Sequence, residues 1–311
     1  MIQCIYGGRM ISLIIPCYNE EESIPYFIKE INKVIDLMKK EKFELIFVDD
    51  GSKDKTLEIL EKLADEDKKV KYISFSRNFG KEAAMLAGLK NSKGDYVAVM
   101  DVDLQDPPTM LIDMYNGIKE GYDCVGLRRT TRVGEPKVRS FFATCYYKLI
   151  NKISTTDIVD GARDFRLMTR QMVDSILELE ENNRYSKGIF SWVGYKTKWL
   201  EYKNVERVAG STKWSFMKLF KYSIDSIVAF STFPLILPVI VSVILAFITF
   251  IMFIMMLINN NEMLQISTLI MFVASLNTLF IGIIGIYLSK MHIELQDRPK
   301  YIIKLSNIKR K

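Results

Sequence analysis

Two uncharged apolar runs near the carboxyl end, Leu235–Ile258 and Ile266–Ser289, constrain this chain more than any other feature. Each is roughly 24 residues, enough helix to cross a hydrocarbon core of about 30 Å. A pair of buried core helices in a soluble protein is the competing reading, but uncharged runs this long are rare in soluble cores. The loop between them, Asn259–Gln265, holds no Lys or Arg, whereas Lys290, Arg298, Lys300, Lys304, Lys309, Arg310 and Lys311 follow the second run. That asymmetry predicts a hairpin in the inner (cytoplasmic) membrane with both termini in the cytoplasm. Upstream, Trp214–Phe233 places Phe216, Leu219, Phe220, Ile224, Ile227 and Phe230 at helical spacing, with Lys213, Lys218 and Lys221 near its start. The pattern suits a helix lying in the interface, and equally an ordinary amphipathic core helix.

Nearly all the charge lies outside the two runs. Lys and Arg number 43 against 37 Asp and Glu, a net charge of +6. The basic residues form no stripe interleaved with aromatics, so a membrane surface or a phosphorylated substrate accounts for the excess better than nucleic acid. The single histidine, His292, lies beside the membrane, which leaves catalysis to carboxylates, cations and metal. Cys4, Cys17, Cys124 and Cys145 show no CxxC spacing and read as reduced core thiols. The first apolar run, Ile11–Pro16, is too short for a leader and is followed by Asn19 and Glu20–Glu22, so no signal peptide is expected.

From Ile11 to Gly126, short β-rich runs alternate with amphipathic helical stretches, which predicts an α/β domain with a mostly parallel sheet. Strands are expected at Ile11–Ile15, Phe43–Val48, Val70–Phe75, Tyr96–Met100 and Cys124–Leu127. Helices are expected near Glu21–Lys40, Lys55–Asp65, Phe79–Asn91 and Pro108–Gly121, with Asp54 suited to cap the second and Gly94 to stop the chain before the fourth strand. Beyond Arg128 the pattern is less regular: a basic, aromatic helix at Val138–Asn151, a short apolar segment at Phe165–Met168, more helix to about Leu179, and a strand at Lys196–Tyr202. Such sheets bind ligands beyond the carboxyl ends of their strands.

The strongest chemical signal lies at one of those ends. In Met100-Asp101-Val102-Asp103-Leu104-Gln105-Asp106-Pro107-Pro108 a strand ends in two carboxylates one residue apart. Both can reach one hard cation, Mg²⁺ or Mn²⁺, with Gln105 adding a neutral oxygen. Such an ion bridges the phosphates of a nucleotide sugar and neutralises the leaving group. Alone, the segment reads as readily as an acidic turn capping a helix. Asp49-Asp50-Gly51-Ser52 ends another strand, where Asp50 can accept hydrogen bonds from a base or ribose and Gly51 permits close approach. Pro16-Cys17-Tyr18-Asn19-Glu20 ends the first. Each has an ordinary turn-and-cap reading; three such loops at one sheet edge point to a site.

Taken together, Ile14-Ile15-Pro16-Cys17-Tyr18-Asn19-Glu20-Glu21, Val48-Asp49-Asp50-Gly51-Ser52 and Asp101-Val102-Asp103-Leu104-Gln105-Asp106-Pro107-Pro108 resemble glycosyltransferase family 2. Within it the chain is similar to the polyprenyl-phosphate glycosyltransferases, relatives of dolichol-phosphate mannose synthase. Further matches are Gly161-Ala162-Arg163-Asp164-Phe165-Arg166-Leu167-Met168, Trp192-Val193-Gly194, Arg207-Val208-Ala209-Gly210-Ser211-Thr212-Lys213, Phe230-Ser231-Thr232-Phe233-Pro234-Leu235 and Arg298-Pro299-Lys300-Tyr301. The resemblance implies a GT-A fold and metal-dependent, inverting transfer from a nucleotide sugar, UDP-linked, to undecaprenyl phosphate. It assigns Pro16, Tyr18, Glu20, Asp50 and Asp101 to the nucleotide, and Asp101, Asp103 and Gln105 to the metal. Arg207, Ser211 and Lys213 would hold the diphosphate, a role Lys213 shares with that of a membrane-surface lysine.

Asp164 matches the proposed base and joins Asp103 as a catalytic candidate. An acceptor phosphate, with a second pKa near about 6, is already largely dianionic, so Asp164 serves equally well to orient the sugar. Arg128, Arg129 and Arg132 are suited to the lipid phosphate, or form a generic basic patch. The Gln-x-x-Arg-Trp motif of processive synthases is missing, Asn183-Arg184-Tyr185 being the nearest approximation, which favours single-sugar transfer over a short polysaccharide synthase. A non-catalytic membrane scaffold is the reading from another class. The expected organisation is a catalytic domain at 1–212, interfacial helices at 213–233, two membrane helices within 234–290 and a basic cytoplasmic tail at 291–311. The resemblance implies a homo-oligomer, a tetramer, and Ser275, Gly282 and Gly285 allow close helix packing. The sugar is not legible.

Overall fold

The structure, a computed structural model, describes residues 8–129, 146, 150–152, 159–182, 184–202, 223, 224, 227, 244, 247, 248, 250, 251 and 262–308. The chain opens with strand β1 (Met10–Cys17), helix α1 (Ser23–Leu37), β2 (Lys42–Asp49), α2 (Thr56–Glu66), β3 (Val70–Phe75), α3 (Lys81–Asn91), β4 (Tyr96–Val99), α4 (Met110–Lys119) and β5 (Cys124–Arg129). Then come β6 (Ala162–Thr169), α5 (Arg170–Leu177), α6 (Ser186–Trp192), β7 (Thr197–Tyr202), α7 (Glu262–Leu295) and β8 (Ile303–Ser306).

The eight strands among the described residues form one sheet in the order β7-β5-β6-β4-β1-β2-β3-β8. The pairs β1–β2, β1–β4, β2–β3 and β5–β7 are parallel, while β6 runs antiparallel to β4 and β5, and β8 antiparallel to β3. The central strands are nearly continuous apolar runs because helices cover both faces of the sheet. On one face Ile11, Leu13, Ile15 and Phe47 pack against Ile24, Phe27, Ile31 and Val34 of α1, whose spacing of three and four residues gives a single apolar stripe. On the other face Ile14, Val97 and Val99 meet Met85 and Leu89 of α3 and Met172, Val173 and Ile176 of α5. Each such fully buried side chain contributes roughly 1.5–3 kcal/mol. Helix α3 is buried on nearly all sides, and a Cβ at Gly88 would stand 2.2 Å from Ile14 Cγ2. Glycine there lets helix and sheet approach.

The expected strands are found within one or two residues of their predicted ends. The short apolar segment at Phe165–Met168 is the centre of a full strand, β6. Helix α2 begins at Thr56, and Asp54 accepts the Thr56 N–H at 3.1 Å from just outside the helix instead of occupying the cap position. Cys17 and Cys124 are free and buried; Cys4 and Cys145 lie outside the described residues.

The expected tail, 291–311, contains a strand. Ile303–Ser306 extends the sheet at the β3 edge, and Tyr301 stacks on Phe75 with ring centroids 4.9 Å apart. Just before it, α7 runs for 34 residues, and its segment Phe272–Leu295 is apolar, 24 residues long and almost wholly exposed. At about 1.5 Å per residue that segment is long enough to cross a bilayer. Among the described residues it is the one helix of this kind. Its carboxyl-terminal end is tied to the sheet domain by Glu294, which accepts the Asn182 backbone N–H at 2.8 Å and the Asn182 side-chain amide at 3.0 Å. The first apolar run, Leu235–Ile258, and the segment Trp214–Phe233 lie almost entirely outside the described residues.

Candidate active site

The carboxyl ends of β1, β2 and β4 come out at one edge of the sheet, and the reversed direction of β6 brings its amino-terminal end, Ala162–Asp164, to the same edge. The register pairs Val99 with Arg166. Continued one pleat beyond the strand, it sets Asp101 opposite Asp164. Like charges placed across from each other on a sheet repel, and the structure sets a cation between them. Lys81 Nζ lies 2.6 Å from Asp101 Oδ1 and 2.6 Å from Asp164 Oδ2. Burial lowers the lysine's pKa, but the two carboxylates outweigh it and hold the ammonium above an ordinary lysine. Burial likewise pushes Asp164 up, and Lys81, with Lys187 and Arg166, outweighs it and holds that carboxyl below the usual carboxylate range. A carboxylate held that low is a poor proton acceptor.

The loop after β4 keeps the alternation of the strand: Asp101, Asp103 and Gln105 are half-buried, while Val102, Leu104 and Asp106 turn inward. Leu104 has a φ of 57°. A buried leucine in the left-handed region is strained by about 1–3 kcal/mol, and the loop is held in that shape by its neighbours. Arg163 Nε donates to Asp106 at 2.9 and 3.2 Å, its Nη2 donates to Gln105 Oε1 at 3.3 Å, and the Tyr202 hydroxyl donates to Asp106. The Gln105 backbone N–H donates to Asp103 Oδ1 at 3.2 Å.

The neighbouring loops are stitched to one another. Asn19 N–H donates to Ser52 Oγ at 2.9 Å, Lys53 N–H to Asn19 Oδ1 at 2.8 Å, and Glu20 N–H to Thr56 Oγ1 at 2.8 Å. Asp50 is buried, and its two oxygens accept the backbone N–H groups of Phe79 at 2.6 Å and Gly80 at 2.9 Å. Burial, opposed by those two hydrogen bonds, pushes its pKa up to about 6. These bonds fix the segment that leads into α3 and so place Lys81. Gly51, with φ at 69°, permits close approach, but of the Arg77 backbone: a Cβ there would stand 2.4 Å from the Arg77 carbonyl carbon.

Residues 12–177 match the model of the family described as "Glycosyl transferase family 2". The chain is 41% identical over 309 residues to the "Putative glycosyltransferase CsbB" of Bacillus subtilis (strain 168), covering 97% of this chain and 93% of that protein. It is also 41% identical over 304 residues to the "SfII prophage-derived bactoprenol glucosyl transferase" of Shigella flexneri, covering 96% and 98%. The chain belongs to glycosyltransferase family 2. Among solved structures, mannosyl-3-phosphoglycerate synthase from Rubrobacter xylanophilus is similar over 70% of this chain and 72% of that one, with 16% identity and a TM-score of 0.49.

The family 2 fold brings together Pro16, Tyr18 and Glu20 after β1, Asp50 after β2, Asp101, Asp103 and Gln105 after β4, and Asp164 on β6. Glu20 also accepts from Ser23 Oγ at 2.7 Å in the first turn of α1. Gln105, expected beside a metal, has its side-chain oxygen engaged by Arg163. Arg128 and Arg129 end β5, where Arg128 Nε donates to the Asp160 carbonyl at 3.1 Å. Arg132, Arg207, Ser211 and Lys213 lie outside the described residues.

A hard divalent cation fits the oxygen donors of Asp101 and Asp103, since Mg²⁺ takes one or two carboxylates and fills its shell with substrate phosphates and water. Among the described residues no group of three or more His, Cys, Asp or Glu is arranged to hold an ion. Sequence reasoning missed Lys81 and Arg163. The available signal for Lys81 was its position: a cation in the first turn of a helix opposes the helix dipole and needs anions nearby.

Proposed function

We propose that the chain is a membrane-bound, inverting glycosyltransferase that moves one sugar from a nucleotide sugar of the UDP class to undecaprenyl phosphate. The observation that carries this reading is the convergence of Asp50, the Asp101/Asp103 loop and Asp164 at one sheet edge. The near-full-length relative named as a bactoprenol glucosyl transferase supports the lipid acceptor. The sheet also supports the membrane topology. The chain leaves it at Tyr202 in β7 and re-enters it at Ile303 in β8, so whatever lies between must cross a bilayer an even number of times. Helix α7 supplies one crossing and Leu235–Ile258 the other, with Trp214–Phe233 along the interface and both termini in the cytoplasm.

In this reading the buried Asp50 carboxylate and the loop from Pro16 to Glu20 receive the nucleoside. Asp101 and Asp103 would hold Mg²⁺ or Mn²⁺. When bound, the ion neutralises negative charge on the departing nucleoside diphosphate. Arg207, Ser211 and Lys213 close over the diphosphate, and Arg128, Arg129 and Arg132 draw in the acceptor phosphate. A phosphate oxygen forms the new bond to the anomeric carbon from the face opposite the leaving group, and the electron pair of the broken bond leaves with the nucleoside diphosphate. Because the acceptor is already ionised, Asp164 has no proton to remove. Held low by Lys81, it serves to orient the sugar.

The test is purified protein with undecaprenyl phosphate, Mn²⁺ or Mg²⁺, and a panel of radiolabelled nucleotide sugars. One donor is expected to give a lipid-extractable product carrying a single sugar. Chelator or Asp103→Ala should reduce transfer by about a hundredfold or more, the scale of removing a principal electrostatic stabiliser. A polymer would favour the synthase reading, and transfer undiminished in chelator would overturn the metal's role.

A further inference from the structure

We propose that Lys81 is a built-in counter-cation that makes metal binding depend on donor binding, its ammonium occupying the place between Asp101 and Asp164 until a metal and a nucleotide diphosphate arrive together. The inference rests on the metal-dependent reading above and goes beyond it by naming the residue that sets the order of assembly.

Three observations carry it. First, the ammonium is shared equally, 2.6 Å from an oxygen of each carboxylate, one belonging to the proposed metal loop and the other to β6. Second, the contact is built into the fold. The β4–β6 register, continued two residues past its last pair Val99–Arg166, sets the two carboxylates opposite each other, and Lys81 is delivered by a segment whose preceding N–H groups are bound to Asp50. That segment follows Phe75, which is stacked on Tyr301 and set edge-on to Phe79 at 5.7 Å. Third, the contact is reachable, since the side chains of Lys81 and Asp101 are 32% and 26% exposed. An incoming ion can compete for Asp101 without unfolding anything.

The charges then decide the order. A divalent cation arriving alone must either displace the ammonium from Asp101 or sit beside it, and both are unfavourable. It also finds an incomplete set of ligands, because the described protein side chains supply no three-carboxylate cage. A diphosphate removes both obstacles: its oxygens complete the ion's shell, and its negative charge offsets the excess of two adjacent cations. Lys81 is then left to Asp164, which keeps its partner throughout. The metal is therefore held weakly by the empty enzyme and firmly by the donor complex.

The test is a binding cycle on the full chain in detergent, with bound Mn²⁺ counted by electron paramagnetic resonance with and without UDP. Wild type should bind Mn²⁺ at least about tenfold tighter with UDP than without it, a typical coupling between sites. In Lys81→Met, Mn²⁺ should bind more tightly in the absence of UDP, and the ratio should shrink by about tenfold. Lys81→Arg, which keeps the charge, should keep Mn²⁺ binding in the absence of UDP as weak as in wild type. UDP titrations with and without Mn²⁺ must return the same ratios, because the coupling is reciprocal. A wild-type enzyme that binds Mn²⁺ equally well with and without UDP overturns the proposal without recourse to any variant. Coupled binding in wild type with an unchanged ratio in Lys81→Met overturns the role of Lys81 alone. Mn²⁺ that binds under no condition overturns the metal-dependent reading and this inference together.

Discussion

Asp101 and Asp106 stand on the same loop and each is paired with a cation, yet the two pairs are built for different ends. Asp106 is buried, with a side chain 1% exposed, and meets the planar fork of Arg163 as well as the Tyr202 hydroxyl. Asp101 is a quarter exposed and meets a lysine ammonium that it shares with Asp164. A guanidinium fixes geometry through directed hydrogen bonds, whereas an ammonium is a point charge on a flexible stem. The buried pair therefore sets the shape of the loop. The open pair presents a carboxylate whose partner can be exchanged for another cation.

The largest effect expected from this contrast is on stability. Arg163→Met leaves Asp106 buried and uncompensated, which should cost about 3–5 kcal/mol. Lys81→Met leaves Asp101 and Asp164 facing each other without their cation, but at side chains 26% and 18% exposed that water still reaches, and should cost less, about 1–2 kcal/mol. Thermal unfolding of the two variants measures the difference, and equal losses would break the distinction between them.

Asp50 sharpens the comparison as a buried carboxylate held by backbone N–H groups. Its pKa is raised to about 6, so it is ionised at pH 7.5 and increasingly protonated as the pH falls. The protonated acid accepts more weakly from the Phe79 and Gly80 N–H groups and from a nucleobase. UDP affinity should therefore be full above that pKa and fall by up to about tenfold one pH unit below it. Isothermal titration between pH 5 and 8 checks this, and Asp50→Asn should flatten the profile at reduced affinity.

The smallest effect concerns the far end of the same segment. Tyr301→Ala removes the stack on Phe75, worth about 0.5–1.5 kcal/mol beyond the area it buries. Because this stack supports the segment carrying Lys81 without touching the reacting groups, the expected outcome is a raised KM for the donor with little change in kcat. A collapse of kcat instead would place the tail strand closer to the chemistry than its contacts indicate.

The parts of the site legible in the sequence are those built from neighbouring residues. Asp101-Val102-Asp103 and Asp49-Asp50-Gly51-Ser52 announce themselves because each terminates an apolar run that can only be a buried strand. Lys81 and Arg163 do not, since the partners of Lys81 lie 20 and 83 residues away along the chain and those of Arg163 lie 57 and 58 away. Gly51 was legible as a point of close approach, but what approaches it, the Arg77 backbone, was not. Strand β8 escaped notice for a related reason. Ile303-Lys304-Leu305-Ser306 alternates apolar and polar over too few residues to mark a strand, and the segment becomes one only by pairing with the exposed edge of β3.

The sequence by itself determined the alternation of strands and helices, the two long apolar runs and the carboxylates that end the strands. These follow from hydrophobic periodicity and local backbone preference, which act over a few residues at a time. Tertiary structure alone decided that β6 runs backwards through the sheet, that its register sets Asp164 opposite Asp101, and that a lysine from a third element fills the space between them. Those outcomes depend on which strand edges meet and on where like charges are forced together, and no short stretch of sequence encodes either.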